Sequence, residues 1–338
     1  MSATTAGRTT ARTARARAQR HSGLRGGIDL GGTKIQAVVV DARGAVRGQF
    51  REPTPLDGGP ELVVTAMATA MRGAAESAGV RSSALDGIGV GCPGIVDAEA
   101  GTLANPPNLP WTGAYPVGPE LSRALGAPAR LDNDVRVATN AEYRLGAGKP
   151  YRSVLGVFWG TGVGGGIILD GAPWLGRGAA GEIGHTIIRE GGAMCRCGHR
   201  GHLEAYAGRA SMEERARRMI KKGVKSSLLS IMETRGRDRM TSGVWGRALD
   251  HGDKLAAHLI DRAVAALATA IASAMSLLDV EAVIIGGGLG LRLGEDYVRR
   301  IEKLMGPQLF VADRPPAMHL AALGDLGGAT GAALLFDA

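Results

Sequence analysis

Cysteine is scarce in this chain: three in 338 residues, two of them one residue apart. That excludes a disulfide framework and points to a reducing, cytoplasmic setting. No long apolar run reaches the roughly 20 residues that a bilayer span needs. The longest uncharged stretch, from Ala263 to Leu278, is interrupted by Ser and Thr and reads as a buried helix, so no membrane partner is expected. Acids are missing from residues 1–25, which hold six arginines and so account for six of the eight net positive charges. The pI of 9.7 therefore belongs to a tail and not to a nucleic-acid-binding surface. That tail has no apolar h-region, which excludes a secretory signal, and its Arg, Ala and Thr content reads as a disordered leader.

What remains is long enough for two domains with real cores. The first ordered stretch, "GGIDLGGTKIQAVVVDARGAVRGQF", runs strand, glycine loop, strand. A Walker A loop or a Rossmann fingerprint puts its glycines before a helix, so "DLGGTK" is neither. The same logic returns at 154–174 in "VLGVFWGTGVGGGIILDGAPW", which indicates an internal duplication. Helices are predicted at Pro60–Gly79 and Val135–Leu145, at "SMEERARRMIKK" with Ser211 and Glu214 at capping-box spacing, and at about Lys254–Leu278. Strands alternating with helices in two similar halves predict an α/β protein of two related domains with a cleft between them. We draw their limits at 26–134, joined by a C-terminal helix at about 324–338, and at 135–323.

Glycines beside a hydroxyl in a tight turn let backbone N–H groups converge on an anion. "DLGGT" and "GTGVGGG" can each hold phosphate oxygens in this way, with Thr33 and Thr161 adding hydroxyl donors, and a third run follows at Gly286–Gly288. Asp29 heads the first loop, where it can hold the hydration shell of a Mg²⁺ ion or stabilise the turn. In "LDNDV" the pattern divides evenly between a helix N-cap and a catalytic pair, with Asp134 taking a hydroxyl proton and Asn133 orienting the substrate. Residues 182–208 gather His185, Cys195, Cys197 and His202, a two-sulfur, two-nitrogen set that suits a closed, structural Zn²⁺ site. His199 competes with His202 for the last position.

With these residues in view, the sequence from about Gly26 onward resembles the ROK family (repressors, open reading frames and kinases) of the actin and hexokinase-like ATPase superfamily. "GIDLGGTK" is similar to that family's first phosphate motif, "GCPGIVD" and "NPPNLPW" to its sugar-side segments, "LDND" to its catalytic loop, and "GTGVGGGIILDG" with "GAAGEIGH" and the metal motif to its signature. The resemblance implies two actin-like (ribonuclease H-like) domains and an ATP-dependent hexose kinase. It makes Asp134 the general base and puts Asn108, Asn133, Glu182, His185 and Glu204 on the sugar. It sets Asp29, Gly31, Gly32, Thr33, Lys34, Thr161 and Gly162 around the ATP phosphates and magnesium, with Gly287 and Gly288 near the adenosine. His185 is then both zinc ligand and sugar contact.

One departure stands out. The family's metal pattern ends Cys-x-Cys-Gly-x-x-Gly-Cys, and "CRCGHRGH" puts His202 where the third cysteine is expected. Glucose is the leading substrate from "NPPNLPW", ahead of N-acetylmannosamine and other hexoses, and a homodimer or homotetramer is expected. The family also holds DNA-binding repressors. Their winged helix has no counterpart in a 25-residue tail, so a sugar-sensing regulator is the second reading and no specific nucleic-acid partner is expected.

Overall fold

The computed structural model describes residues 23–107 and 109–337. The bulk of the tail, and Asn108, lie outside the described residues. The ordered fold begins earlier than the composition suggests. Strand β1 starts at Arg25, which is buried, donates to the Asp41 carbonyl at 2.9 Å and pairs with Asp337.

The first half contains β1 (Arg25–Leu30), β2 (Lys34–Val40), β3 (Val46–Pro53), α1 (Pro60–Ser77) and β4 (Ile88–Cys92). Three short strands follow, β5 (Ile95–Asp97), β6 (Thr102–Ala104) and β7 (Ala114–Tyr115), then α2 (Val117–Leu125), β8 (Ala129–Asn133) and α3 (Asp134–Leu145). The second half opens with β9 (Val154–Trp159), β10 (Val163–Leu169) and β11 (Ala172–Pro173). Helices α4 (Glu204–Ala207), α5 (Arg209–Lys221), α6 (Leu228–Thr234), α7 (Ser242–Asp250) and α8 (Lys254–Leu278) come next. It closes with β12 (Ala282–Gly286), α9 (Gly287–Leu293), α10 (Glu295–Met305), β13 (Ala317–Leu320) and α11 (Gly327–Ala333).

The duplication read from the two glycine turns is repeated in the topology. One sheet runs β3-β2-β1-β4-β8 and the other β11-β10-β9-β12-β13. Each has an antiparallel three-strand meander followed by two parallel strands. The inner parallel strands β4 and β12 are buried at every residue, as expected where helices cover both faces of a sheet. Two large cores result, with two smaller clusters, one at Val38, Val40, Ala329 and Ala333 and one at Val154, Ile168, Ala282 and Ile284. Met67, Met71, Ile88 and Leu121 lie in one large core, and Trp159, Trp245, Leu259 and Ile271 in the other.

Helix α8 is long and apolar enough to cross a membrane, yet 67% of that stretch is buried inside the fold. It is the central core helix of the second half. The helix containing "SMEERARRMIKK" differs from its sequence reading. It begins at Arg209 with Gly208 as N-cap, and Ser211 is buried within it, so the capping box does not form. The reason is tertiary: Arg209 and Ala210 donate their N–H groups to the carbonyls of Gly160 and Thr161 at 3.1 and 3.0 Å, which starts the helix two residues early.

The last helix of each half crosses to the other sheet. Helix α3 follows β8 and packs on β9 and β10, whereas α11 follows β13 and returns to β1, β2 and β4, and the two helices pack on each other. Helix α11 lies so close to the sheet that a Cβ added to Gly89 in β4 would sit 1.7 Å from the Ala332 carbonyl oxygen. Gly89→Ala must therefore push α11 off the sheet. We expect it to cost about 3 kcal/mol, at the upper end of overpacking penalties, read as a fall in the urea midpoint.

Candidate active site and metal centre

Strand β8 delivers "LDND" to the start of α3. The Asn133 side chain accepts the N–H groups of Val135 and Arg136 at 3.0 and 3.2 Å, so Asn133 is the N-cap. Asp132 is held by Arg136. Asp134 is free of both duties. Its Oδ1 accepts the N–H of Val135 at 3.0 Å, and its Oδ2 accepts from no group among the described residues. Burial, with the charges of Asp29 and Glu182 adding to it and the N–H groups of Val135 and of Asp134 itself opposing, raises Asp134 to about 7. A carboxyl poised near neutrality at a helix start is suited to accept a proton.

Asp29, near the end of β1, is also raised by burial, with Asp325 adding to this and Lys34 opposing it. The first turn of α11 closes on it: a Cβ on Gly328 would lie 2.9 Å from Asp29 Oδ2. The adjoining glycine turn is pinned from both sides. Gly31 donates to the Lys34 carbonyl at 3.0 Å, and Thr54 donates through its hydroxyl to the Gly31 carbonyl at 2.7 Å and through its N–H to the Thr33 carbonyl at 3.3 Å. Thr33 is left exposed, and Lys34 Nζ stands 3.6 Å from Asp325.

The second glycine run divides into two parts with different work. Gly160, Thr161 and Gly162 make the turn, closed by the Gly160 N–H on the Gly162 carbonyl at 2.9 Å. Gly164, Gly165 and Gly166 belong to β10, where added Cβ atoms would strike Val135, the Gly181 carbonyl and Thr139. Those three glycines make room for α3 and the following loop rather than for an anion. The third run lies against the second: Gly287 has φ 79, and its Cβ would meet the Trp159 backbone oxygen at 2.6 Å. Ser242 Oγ lies 3.5 Å from a Cβ built on Gly288.

The ligating atoms of His185, Cys195, Cys197 and His202 all lie within 4.8 Å of one another. His185 Nδ1 is 3.3 Å and Cys197 Sγ 3.2 Å from His202 Nδ1. Tetrahedral Zn²⁺ with N and S ligands has ligand–ligand edges of roughly 3.3–3.8 Å, so the donor set fits that ion in type and number, with the two edges at His202 near that spacing. His199 Nδ1 lies 3.8 Å from Cys197 Sγ but is not among the four mutually close groups, whose second imidazole is that of His202. Burial holds His202 below the usual imidazole range, with His185 and His199 adding to this and Glu204 opposing it, the direction that favours a neutral, ligating imidazole. Burial pushes the Cys195 thiol up to about 11, so its thiolate forms only against a cation.

The quartet is joined to the rest of the site at two points. His185 presents Nδ1 to the cluster and Nε2 to Glu182 at 4.0 Å. Glu204 accepts the Val163 N–H at 2.9 Å through Oε2 and faces Cys195 Sγ at 4.0 Å through Oε1. A Cβ on Gly162 would lie 2.1 Å from that Oε2, so the turn must be glycine for Glu204 to reach it. Arg209 and Ser242, which flank the Thr161 turn and the Gly288 run, carry no motif and were passed over in the sequence.

Residues 25–338 match the sequence profile described as the ROK family. The chain is 33% identical over 322 residues to a glucokinase of Streptomyces coelicolor, covering 92% of this chain and 96% of that one. It is 32% identical over 279 residues to a glucokinase of Halalkalibacterium halodurans, with coverage of 82% and 83%. Among solved structures, a ROK family glucokinase from Streptomyces griseus in complex with glucose and AMPPNP superposes with a TM-score of 0.79 at 32% identity, covering 93% of this chain and 99% of that one. The match over the whole ordered chain, and the two sheets of equal topology behind it, make this protein a member of the ROK family.

Proposed function

We propose that the protein transfers the γ-phosphoryl group of ATP to the 6-hydroxyl of a hexose, with glucose as the substrate. The observation that carries this reading is Asp134: a carboxyl at the start of α3, lifted to about 7, whose Oδ2 accepts from no other residue among the described ones. In this reading Asp134 Oδ2 takes the hydroxyl proton while Asn133 keeps its amide N–H groups for the sugar, its oxygen being spent on the cap. Asn108, Glu182, the Nε2 edge of His185 and Glu204 bind the remaining ring hydroxyls. The turns containing Gly31, Gly32 and Thr33, and Thr161 and Gly162, take the phosphates, with Lys34 beside the first. Asp29 holds the hydration shell of the magnesium that neutralises the transferring group, and Gly287 and Gly288 line the adenosine side.

His185, Cys195, Cys197 and His202 hold zinc in this reading, which supplies a rigid anchor and no chemistry of its own. Its effect passes through Glu204 and His185, which join the anchor to the Gly162–Val163 turn and to the Glu182 side of the site. The two glycine turns lie in different sheets, so closure of the halves on each other brings donor and acceptor together and excludes water.

The test is ADP release from Mg·ATP by the purified protein against glucose, fructose, mannose, N-acetylglucosamine and N-acetylmannosamine. Glucose is expected to give the highest kcat/KM. Preference for an N-acetylhexosamine would replace the substrate, and no turnover on any sugar by folded protein would move the reading to a sugar sensor.

A further inference from the structure

Arg209 opens α5 beside the second glycine turn, and its contacts go beyond those of a helix-surface arginine. Its backbone N–H and that of Ala210 hold the Gly160 and Thr161 carbonyls at 3.1 and 3.0 Å. Its side chain donates through Nη2 to Thr161 Oγ1 at 2.7 Å and through Nη1 to the Met240 carbonyl at 2.9 Å. One turn along α5, Glu213 accepts the Met240 N–H at 2.9 Å, and Arg217 fixes that carboxylate through Nε and Nη2 at 2.9 and 2.7 Å. Met240 is fully buried, and two residues later Ser242 approaches Gly288. A single guanidinium therefore joins the Gly160–Gly162 turn to the segment that flanks the third glycine run.

The charge on Arg209 forms no ion pair with a carboxylate among the described residues, and a guanidinium stays protonated despite the burial that lowers it. Of its five N–H groups, two are engaged. Because Thr161 Oγ1 accepts from Arg209, the hydroxyl's own proton is released for another acceptor. The group most in need of that donor, and of a nearby unpaired positive charge, is a phosphate held by the same turn.

We propose that Arg209 is a nucleotide-positioning residue. It turns the Thr161 hydroxyl into a donor toward the ATP phosphates, and by holding Thr161 and Met240 together it sets the spacing of the two banks between which the nucleotide lies. The proposal rests on the kinase reading above. Lysine cannot replace this function in full, since one ammonium on a flexible stem does not reproduce a planar fork that meets two acceptors.

The test combines Mg·AMPPNP binding by calorimetry with KM values for ATP and the preferred hexose, on wild type, Arg209→Lys, Arg209→Met, Thr161→Val and the double variant Arg209→Met/Thr161→Val. Arg209→Met is expected to weaken AMPPNP about tenfold, the scale of one lost charge-assisted hydrogen bond. The hexose KM and the zinc content stay at wild-type values, and Arg209→Lys recovers part of the loss. The double variant should fall short of the product of the single effects, because the two side chains act through one bond.

Multiplicative effects would break the link to Thr161. An unchanged AMPPNP affinity in Arg209→Met, or a hexose KM that rises in step with a lowered melting temperature, would reduce Arg209 to a structural strut. If wild type binds AMPPNP in an Arg209-dependent way but phosphorylates no hexose, the substrate reading falls and this proposal stands. If wild type binds no AMPPNP, both fall.

Discussion

Asp134→Asn is expected to lower kcat by about two to four orders of magnitude, the usual worth of a positioned general base, while glucose still binds. The amide keeps the size of the carboxyl and can accept the Val135 N–H that now meets Oδ1 at 3.0 Å, so the start of α3 is preserved. What it loses is proton affinity. In the proposed mechanism the ionised form of Asp134 is the base and the group titrates at about 7, so kcat/KM of the wild type should rise with pH below about 7 and level off above it. A flat profile across pH 6–8, or near wild-type turnover in the variant, would remove Asp134 from the mechanism.

The same shift makes a stability prediction of defined sign. Asp134 moves from the ordinary aspartate value of 3.8 to about 7 in the folded chain, so the folded state binds its proton more tightly than the unfolded state. By linkage, this residue's contribution to stability is most favourable below about pH 4, declines as pH rises from about 4 to 7, and is constant above that. Asp134→Asn carries no such penalty. The variant should therefore melt higher than wild type at pH 8 and lose that advantage toward pH 4, a result that also shows its inactivity is not unfolding.

Loss of zinc is the second large effect. Chelation, or His202→Ala, should remove about one zinc per chain and raise the glucose KM by about ten- to a hundredfold, the range seen when the support of a site is lost. Two routes carry the damage. His185 loses the anchor on Nδ1 that directs Nε2 toward Glu182, and Glu204 loses the neighbour that holds it against the Val163 N–H. His202→Cys, which restores the cysteine that the ROK pattern has at this position, should keep zinc and wild-type KM. Metal analysis with KM on the three proteins decides the matter: an unchanged KM in metal-free protein would make the quartet independent of the sugar site.

How much of this was legible in advance follows the range of the forces involved. Periodicity and turn chemistry act over a few residues, and they located α1, α3 and the strand–glycine–strand units closely, α8 to the residue. The duplication was readable for the same reason, because each half carries its own local copy of the turn. Ligand chemistry was readable as well: two cysteines and several histidines in 27 residues have few other uses, and the quartet does converge.

Long-range packing left no such trace. The spacing of Ser211 and Glu214 describes a sound local cap, but two backbone bonds to Gly160 and Thr161 outweigh it and start α5 at Arg209. Gly164–Gly166 look like phosphate glycines in one dimension, and only the positions of α3 and of the loop at Gly181 against β10 show them to be clearance for those segments. "LDND" stood evenly balanced between cap and base because both uses want the same residues in the same places. In the folded chain Asn133 takes the cap, and Asp134, half-buried, lies near enough to Asp29 to feel its charge. The sequence by itself determined most of the elements, the duplication and the neighbourhood of the Cys/His cluster, since these depend on near neighbours in the chain. Which atoms are desolvated, which carboxyl titrates near neutrality and which arginine reaches the Thr161 turn were decided by contacts between residues far apart in the chain, and those exist only in the folded molecule.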